Sequence, residues 1–230
     1  MDKYTPEEAV NYFIRCARKA AEAGLLSCSS GNLSLRLPVS EGTHGSLQSQ
    51  DNHDGQDISR NPQSTLPEAP SGLALLSATG SWLEELREEQ VALCRISDGQ
   101  CLNGVQPTME AGFHLGVLRR RPEINCVLHF QSPYATVVSC MKDKPRGFNV
   151  TLEGPLYVGR EVPVVPFLPP GSDELAAAVT DALSAHDIVL MSNHGQAACG
   201  KDFRDTLRRA VFFEMACRII VLSRGNYTVI

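Results

Sequence analysis

Two histidines that end apolar runs, His129 in "CVLHFQS" and His194 in "SNHG", and one glutamate, Glu110 in "QPTME", are the side chains best suited to hold a divalent cation. Neutral imidazole ligates a metal without reducing its charge, and a carboxylate beside it can both ligate and carry a proton. Gln131 follows His129 by two positions and so shares its face if the segment is a strand. Its amide oxygen is a harder and weaker ligand than imidazole. A site of two His, one Gln and one Glu would hold zinc less tightly and accept manganese, cobalt or magnesium more readily. Alternatively, Gln131 only hydrogen-bonds a water in the third position. Two loops, "SSGN" at 29–32 and "SATG" at 77–80, have the small hydroxyl and glycine content of anion cradles. Singly these signals are weak: a strand-end histidine is more often a hydrogen-bonded structural residue, and an S-x-G-N loop is usually a turn.

The elements that must carry these groups can be read from spacing. Thr5, Pro6 and Glu8 form a helix start, Val10, Phe13, Ile14 and Ala17 follow at helical intervals, and Gly24 stops the helix. The loop at 27–31 runs into an alternating strand. Residues 38–72, which include His44 and His53, lack periodicity and predict a flexible surface insertion with solvated histidines. Strands are expected at 73–77 and 91–96, the second turning back through Ser97-Asp98-Gly99 onto 100–102. Thr108 is the expected N-cap of a helix running to about Arg121, with Glu110 in its first turn. Then come a buried strand at 125–129, a helix from Pro133 to Met141, a helix from 171 to about 185, a buried strand at 188–191, and a final helix of roughly 203–223 capped by Asp202. Helices alternating with strands and a hairpin predict a three-layer α/β/α sandwich around a central, largely antiparallel sheet. One domain spanning 1–230 is the default for a chain of this length. No G-x-G-x-x-G or Walker loop is present.

Composition narrows the function classes. A formal net charge of -5 argues against a nucleic-acid partner, and Arg119-Arg120-Arg121 sits where a helix end would favour cations. Eight scattered cysteines without a C-x-x-C pair read as buried thiols of a reducing compartment. The acidic, amphipathic N-terminus does not read as a secretory signal, and no run of about 18 apolar residues suggests a membrane span. A cytoplasmic protein with no membrane partner is expected.

Taken in order, "SSGNLSLR" (29–36), "SATG" (77–80), "PTMEAGFH" (107–114), "RPEINCVLH" (121–129) and "NHG" (193–195) resemble the class II aldolase/adducin family, and within it most closely the L-fuculose-phosphate aldolase branch. The resemblance spans residues 6–222 apart from the insertion. It implies a homotetramer with active sites between subunits and one zinc ion held by three histidines and a glutamate that also serves as acid/base. Carried over, the metal ligands would be His129, Gln131, His194 and Glu110, with Glu110 catalytic. Ser29, Asn32, Thr79, Gly80 and Thr108 would bind the phosphate of a ketose 1-phosphate. The implied reaction cleaves such a sugar to dihydroxyacetone phosphate and an aldehyde through a metal-stabilised enediolate. Met109 stands where the family has a hydroxyl, and Gln131 where it has a histidine. Two alternatives stay open: a dehydratase or other lyase of the same fold using Glu153, and an adducin-like interaction module without chemistry.

Several residues have two readings. His114, one turn after Glu110, either orients that carboxylate or fills core. His186 suits a helix C-terminus, and Trp82 suits a packing anchor. Glu153 and Tyr157 belong to a surface loop that could face substrate. Tyr227 could serve as the tyrosine that the family's aldolases carry near the C-terminus.

Overall fold

A computed structural model of the protein describes residues 6–38 and 72–230. Thr5 and nearly all of the predicted insertion, with His44 and His53, lie outside the described residues. The elements are α1 (Pro6–Glu22), β1 (Asn32–Arg36), β2 (Leu73–Ser77), β3 (Val91–Arg95), α2 (Ala111–Arg120), β4 (Cys126–Phe130), α3 (Pro133–Cys140), β5 (Val164–Val165), α4 (Asp173–Ala185), β6 (Ile188–Met191), β7 (Gly195–Gly200) and α5 (Phe203–Leu222).

The strands form one sheet in the order β3-β2-β1-β4-β7-β6-β5, antiparallel throughout except for the β5–β6 pair. Alternation along each strand sends side chains to two cores. Leu33, Leu35, Cys126, Leu128, Phe130, Ile188, Leu190 and Ala198 face α1, α3 and α5. Ala74, Leu76, Val127, Val189, Ala197 and Cys199 face α2 and α4. The three-layer sandwich is therefore the observed architecture. On the α2 and α4 face, His129 takes the place of an apolar residue between β4 and α2.

The helix signals mostly hold. Gly24 adopts a φ of 73° after α1, Ser172 accepts from Leu175 N at the start of α4, and Asp202 accepts from Asp205 N at the start of α5. One boundary differs: α2 begins at Ala111 with Glu110 as its N-cap. Thr108 heads a preceding turn, accepting Ala111 N on its carbonyl at 3.0 Å and Glu110 N on Oγ1 at 3.3 Å. The return of the hairpin after β3 is a single bridge between Cys94 and Cys101. Strand β7, "GQAACG", was not expected, because Gly and Ala carry little strand propensity; complete burial between two neighbours holds it. Trp82 leaves 44% of its surface exposed, so Leu83 and Leu86 are the packing anchors there.

All eight cysteines are free thiols, and two, Cys28 and Cys140, are exposed. Among the described residues no helix is long and apolar enough to cross a membrane.

Candidate metal and active site

Strand β4 runs through the middle of the sheet and delivers His129 with only 2% of its surface exposed. On one side His129 pairs in register with Asn32 of β1, and on the other with Ala197 of β7. The β6–β7 turn brings in His194 just after Asn193, whose φ of 55° is the left-handed conformation that Asn tolerates better than most side chains. Gly195 is required for close approach: a Cβ there would lie 2.8 Å from Gln131 Cγ and from the Phe130 carbonyl oxygen, and 3.1 Å from His129 Cε1. Gly31 lets the loop before β1 pass equally close to the His129 carbonyl, where a Cβ would sit 2.7 Å from the oxygen, and it also adopts a φ of 98°. Glu110, at the N-cap of α2, enters from the facing layer and is itself 5% exposed.

These three residues converge. One ligand atom from each of Glu110, His129 and His194 lies within 4.8 Å of the others. His194 Nε2 is 3.2 Å from Glu110 Oε1, and His129 Nε2 is 3.5 Å from Glu110 Oε2.

The protonation pattern tests whether a cation fits. His129 Nδ1 stands 2.8 Å from the Gln196 carbonyl, which can only accept, so Nδ1 carries the proton and Nε2 presents a lone pair. Burial, opposed by Glu110, lowers the His129 pKa and keeps the ring neutral. Burial also pushes the Glu110 pKa up, while positive charge on the neighbouring rings and the Asn32 amide pull it below its ordinary range. With His129 neutral and protonated at Nδ1, its Nε2 lone pair faces the Glu110 carboxylate, and a cation between them would supply the positive charge that the rings lack. Oε1 of Glu110 is buried and accepts no hydrogen bond of proper direction despite its nearness to His194. Electron-rich atoms gathered in this way fit a divalent cation. The carbonyl bond to His129 Nδ1 is the kind of support that orients metal-bound imidazoles.

A second set of contacts reaches Glu110 from behind. Asn32 Nδ2 donates to Glu110 Oε2 at 2.9 Å, His114 Nε2 lies 2.5 Å from Asn32 Oδ1, and Ser34 Oγ lies 2.8 Å from His114 Nδ1. Asn32 and Ser34 are two apart on β1 and share a face, while Glu110 and His114 are one helical turn apart. The sequence singled out His114 and Glu110 but missed Ser34. His114 is fully buried, stacks on Phe113 at 4.7 Å, and has its pKa pushed down to about 3 by burial.

The other expected residues fall into two groups. Thr79 and Gly80 are exposed and tied to the segment before α2, through Thr79 N to the Gln106 carbonyl and Thr108 N to the Ser77 carbonyl; Thr108 itself is buried. Ser29 is exposed in the loop before β1. Gln131 lies with its Cγ against Gly195, beside His129 and His194. Elsewhere, Tyr157 stacks on Phe212 under Arg208, Tyr227 packs on the α1 and α5 core, and His186 caps α4.

Residues 11–221 match the model of the "Class II Aldolase and Adducin N-terminal domain". The chain belongs to the class II aldolase/adducin family. Among its class II relatives, a 3-oxo-tetronate 4-phosphate decarboxylase of Pectobacterium atrosepticum is 31% identical over 66% of this chain and 70% of its own. An L-fuculose phosphate aldolase of Methanococcus maripaludis is 32% identical over 58% of this chain and 70% of its own. The crystal structure of YgbL from Klebsiella pneumoniae superposes with a TM-score of 0.76 at 24% identity, covering 98% of this chain and 94% of the other, and so supports the fold. With this family membership and its decarboxylase and aldolase relatives, the chain is a lyase-type enzyme.

Proposed function

We propose that the protein is a metal-dependent aldolase that cleaves a phosphorylated ketose, such as L-fuculose 1-phosphate, into dihydroxyacetone phosphate and an aldehyde. The observation that carries this reading is the convergence of Glu110, His129 and His194 with their electron-rich atoms turned toward one point. Zinc, or another divalent cation, would be held by those residues, with Gln131 as a fourth donor or as the partner of a bound water. When bound it supplies Lewis-acid stabilisation of the enediolate charge.

The chain's own groups supply the rest. Glu110 moves the proton through Oε1, the oxygen left without a hydrogen bond, while Oε2 stays anchored on Asn32. His129 and His194 would serve as imidazole ligands. Ser29, Asn32, Thr79, Gly80 and Thr108 bind the phosphate, and Asn32 also reaches the Glu110 carboxylate. The setting proposed is a cytoplasmic homotetramer.

A second reading is favoured by the decarboxylase relatives, whose alignments cover more of this chain than the aldolase alignment does. Loss of carbon dioxide from a 3-oxo-tetronate 4-phosphate leaves the same enediolate of dihydroxyacetone phosphate that retro-aldol cleavage of a ketose 1-phosphate leaves. One site floor serves both, and the fragment lost tells them apart.

Dihydroxyacetone phosphate release should therefore be followed over a panel of ketose 1-phosphates and a 3-oxo-tetronate 4-phosphate, with aldehyde and carbon dioxide measured in parallel. Turnover with aldehyde release, abolished by chelator and restored by zinc, cobalt or manganese, is the expected result. Carbon dioxide release would establish the second reading. Turnover indifferent to chelator would overturn both.

A further inference from the structure

We infer that Asn32, His114 and Ser34 are positioning residues: a one-way chain of hydrogen bonds from Ser34 through His114 and Asn32 that fixes the Glu110 carboxylate at the cation site. The catalytic part of this inference rests on the proposed function; the structural part does not.

The direction of the chain follows from the donors available. An ionised carboxylate only accepts, so the group 2.9 Å from Glu110 Oε2 must be the amide NH2 of Asn32. That leaves Asn32 Oδ1 facing His114, and an amide oxygen also only accepts, so His114 Nε2 carries the ring proton. Its Nδ1 then has a lone pair for the Ser34 hydroxyl at 2.8 Å. Each bond fixes the sense of the next, and every donor points toward Glu110. Turning the Asn32 amide over would set its oxygen against the carboxylate and its NH2 against the donor on His114, so both neighbours oppose the flip.

The chain is also rigid. Ser34 and His114 are fully buried and Asn32 nearly so. The backbone on both sides of Asn32 is held: Asn32 pairs with His129, and Leu33 N donates to Ser77 Oγ at 3.2 Å. The sheet that places His129 thus also places the anchor of the carboxylate opposite it. In a low-dielectric interior such a fully satisfied chain is stiff and costly to break.

This adds to Asn32 a task beyond the phosphate contact that family resemblance implies. With its oxygen on His114 and one amide hydrogen on Glu110, its second hydrogen stays available to an anion, so the mark of the positioning role is a loss of turnover and metal affinity whatever happens to phosphate affinity.

The test uses the full-length protein loaded with cobalt(II), whose visible spectrum and affinity report the ligand geometry directly. Asn32→Ala and His114→Phe, the latter keeping a ring to stack on Phe113, should each weaken cobalt(II) binding ~10- to 100-fold and alter its spectrum, as losses of groups supporting metal ligands do. Both variants should lower kcat, and His114→Phe should do so with KM unchanged and with inorganic phosphate inhibiting it as it inhibits the wild type. His114→Gln, which can still donate an N–H to Asn32, should recover most of the loss. If Asn32→Ala is folded, as judged by its thermal transition, and keeps cobalt(II) affinity and kcat within twofold, the inference is overturned. A His114→Gln variant as impaired as a stably folded His114→Phe would likewise remove His114 from the chain. Were the wild type inactive on every substrate tested, the proposed function would fall, and cobalt(II) binding would still decide the positioning role.

Discussion

The floor of the candidate site and the loops proposed as its mouth are built differently. Glu110, His129, His114 and Asn32 are buried and cross-braced between β1, β4 and α2. Ser29, Thr79 and Gly80 sit exposed on loops, and Met109 leaves 62% of its surface open. A cation and a carboxylate need geometry held to fractions of an ångström, which packed elements supply. A substrate must enter and leave, which loops permit. The consequence is that changes in the floor should be severe and changes in the mouth graded.

Glu110→Gln should show the largest effect. It preserves shape and the hydrogen-bond reach of the side chain but removes the base, so kcat in the lyase assay is expected to fall ~10²- to 10⁴-fold. A loss as small as that of a loop variant would erase the contrast between floor and mouth.

Acid should weaken the floor next. The His114 pKa is pushed down to about 3 by burial, against about 6.5 in an unfolded chain. Between those values the unfolded state takes up a proton that the folded state refuses. Stability is therefore level above pH ~6.5 and falls as pH drops, by about 1.4 kcal/mol per pH unit for this one group. Urea unfolding of metal-stripped protein from pH 7 to 4, compared with His114→Gln, should show the variant losing less.

Gln131 stands at the border between the two regions, and its replacement sharpens the comparison. If it faces the cation, Gln131→His should tighten zinc binding about tenfold or more, since imidazole is the better zinc ligand. Unchanged affinity in a competition titration would put Gln131 with the mouth.

The smallest effect belongs to Thr79→Ala. Loss of one exposed hydrogen bond to phosphate, about 0.5–1.5 kcal/mol, should raise KM a few-fold and leave kcat and metal content alone. A collapse of kcat would show that Thr79 belongs to the floor.

The same division explains what the sequence disclosed. Local signals located β1, β2, β4, β6 and most helix ends, because capping residues and apolar alternation act over a few positions. His129 and Glu110 were legible as chemistry-bearing residues at element ends. Their meeting with His194 came from the family resemblance and not from local spacing, since it depends on β4 pairing with β7, where His129 lies opposite Ala197, and β7 itself is a Gly- and Ala-rich segment held by its neighbours. Ser34 gave no signal: a serine in an alternating strand reads as an outward polar residue until α2 is laid over it. The Gln196 carbonyl that sets the His129 tautomer is backbone and has no side-chain signature. The role of Gly195 has no local signature either: the space a Cβ would need is taken by Gln131 and Phe130.

The most direct measurement is anomalous diffraction at the zinc edge from crystals grown with zinc. The expected result is one strong peak within bonding distance of Glu110, His129 Nε2 and His194 Nε2. A peak bound by other residues, with these three side chains still in contact only with one another, would contradict the site on which the proposed chemistry depends.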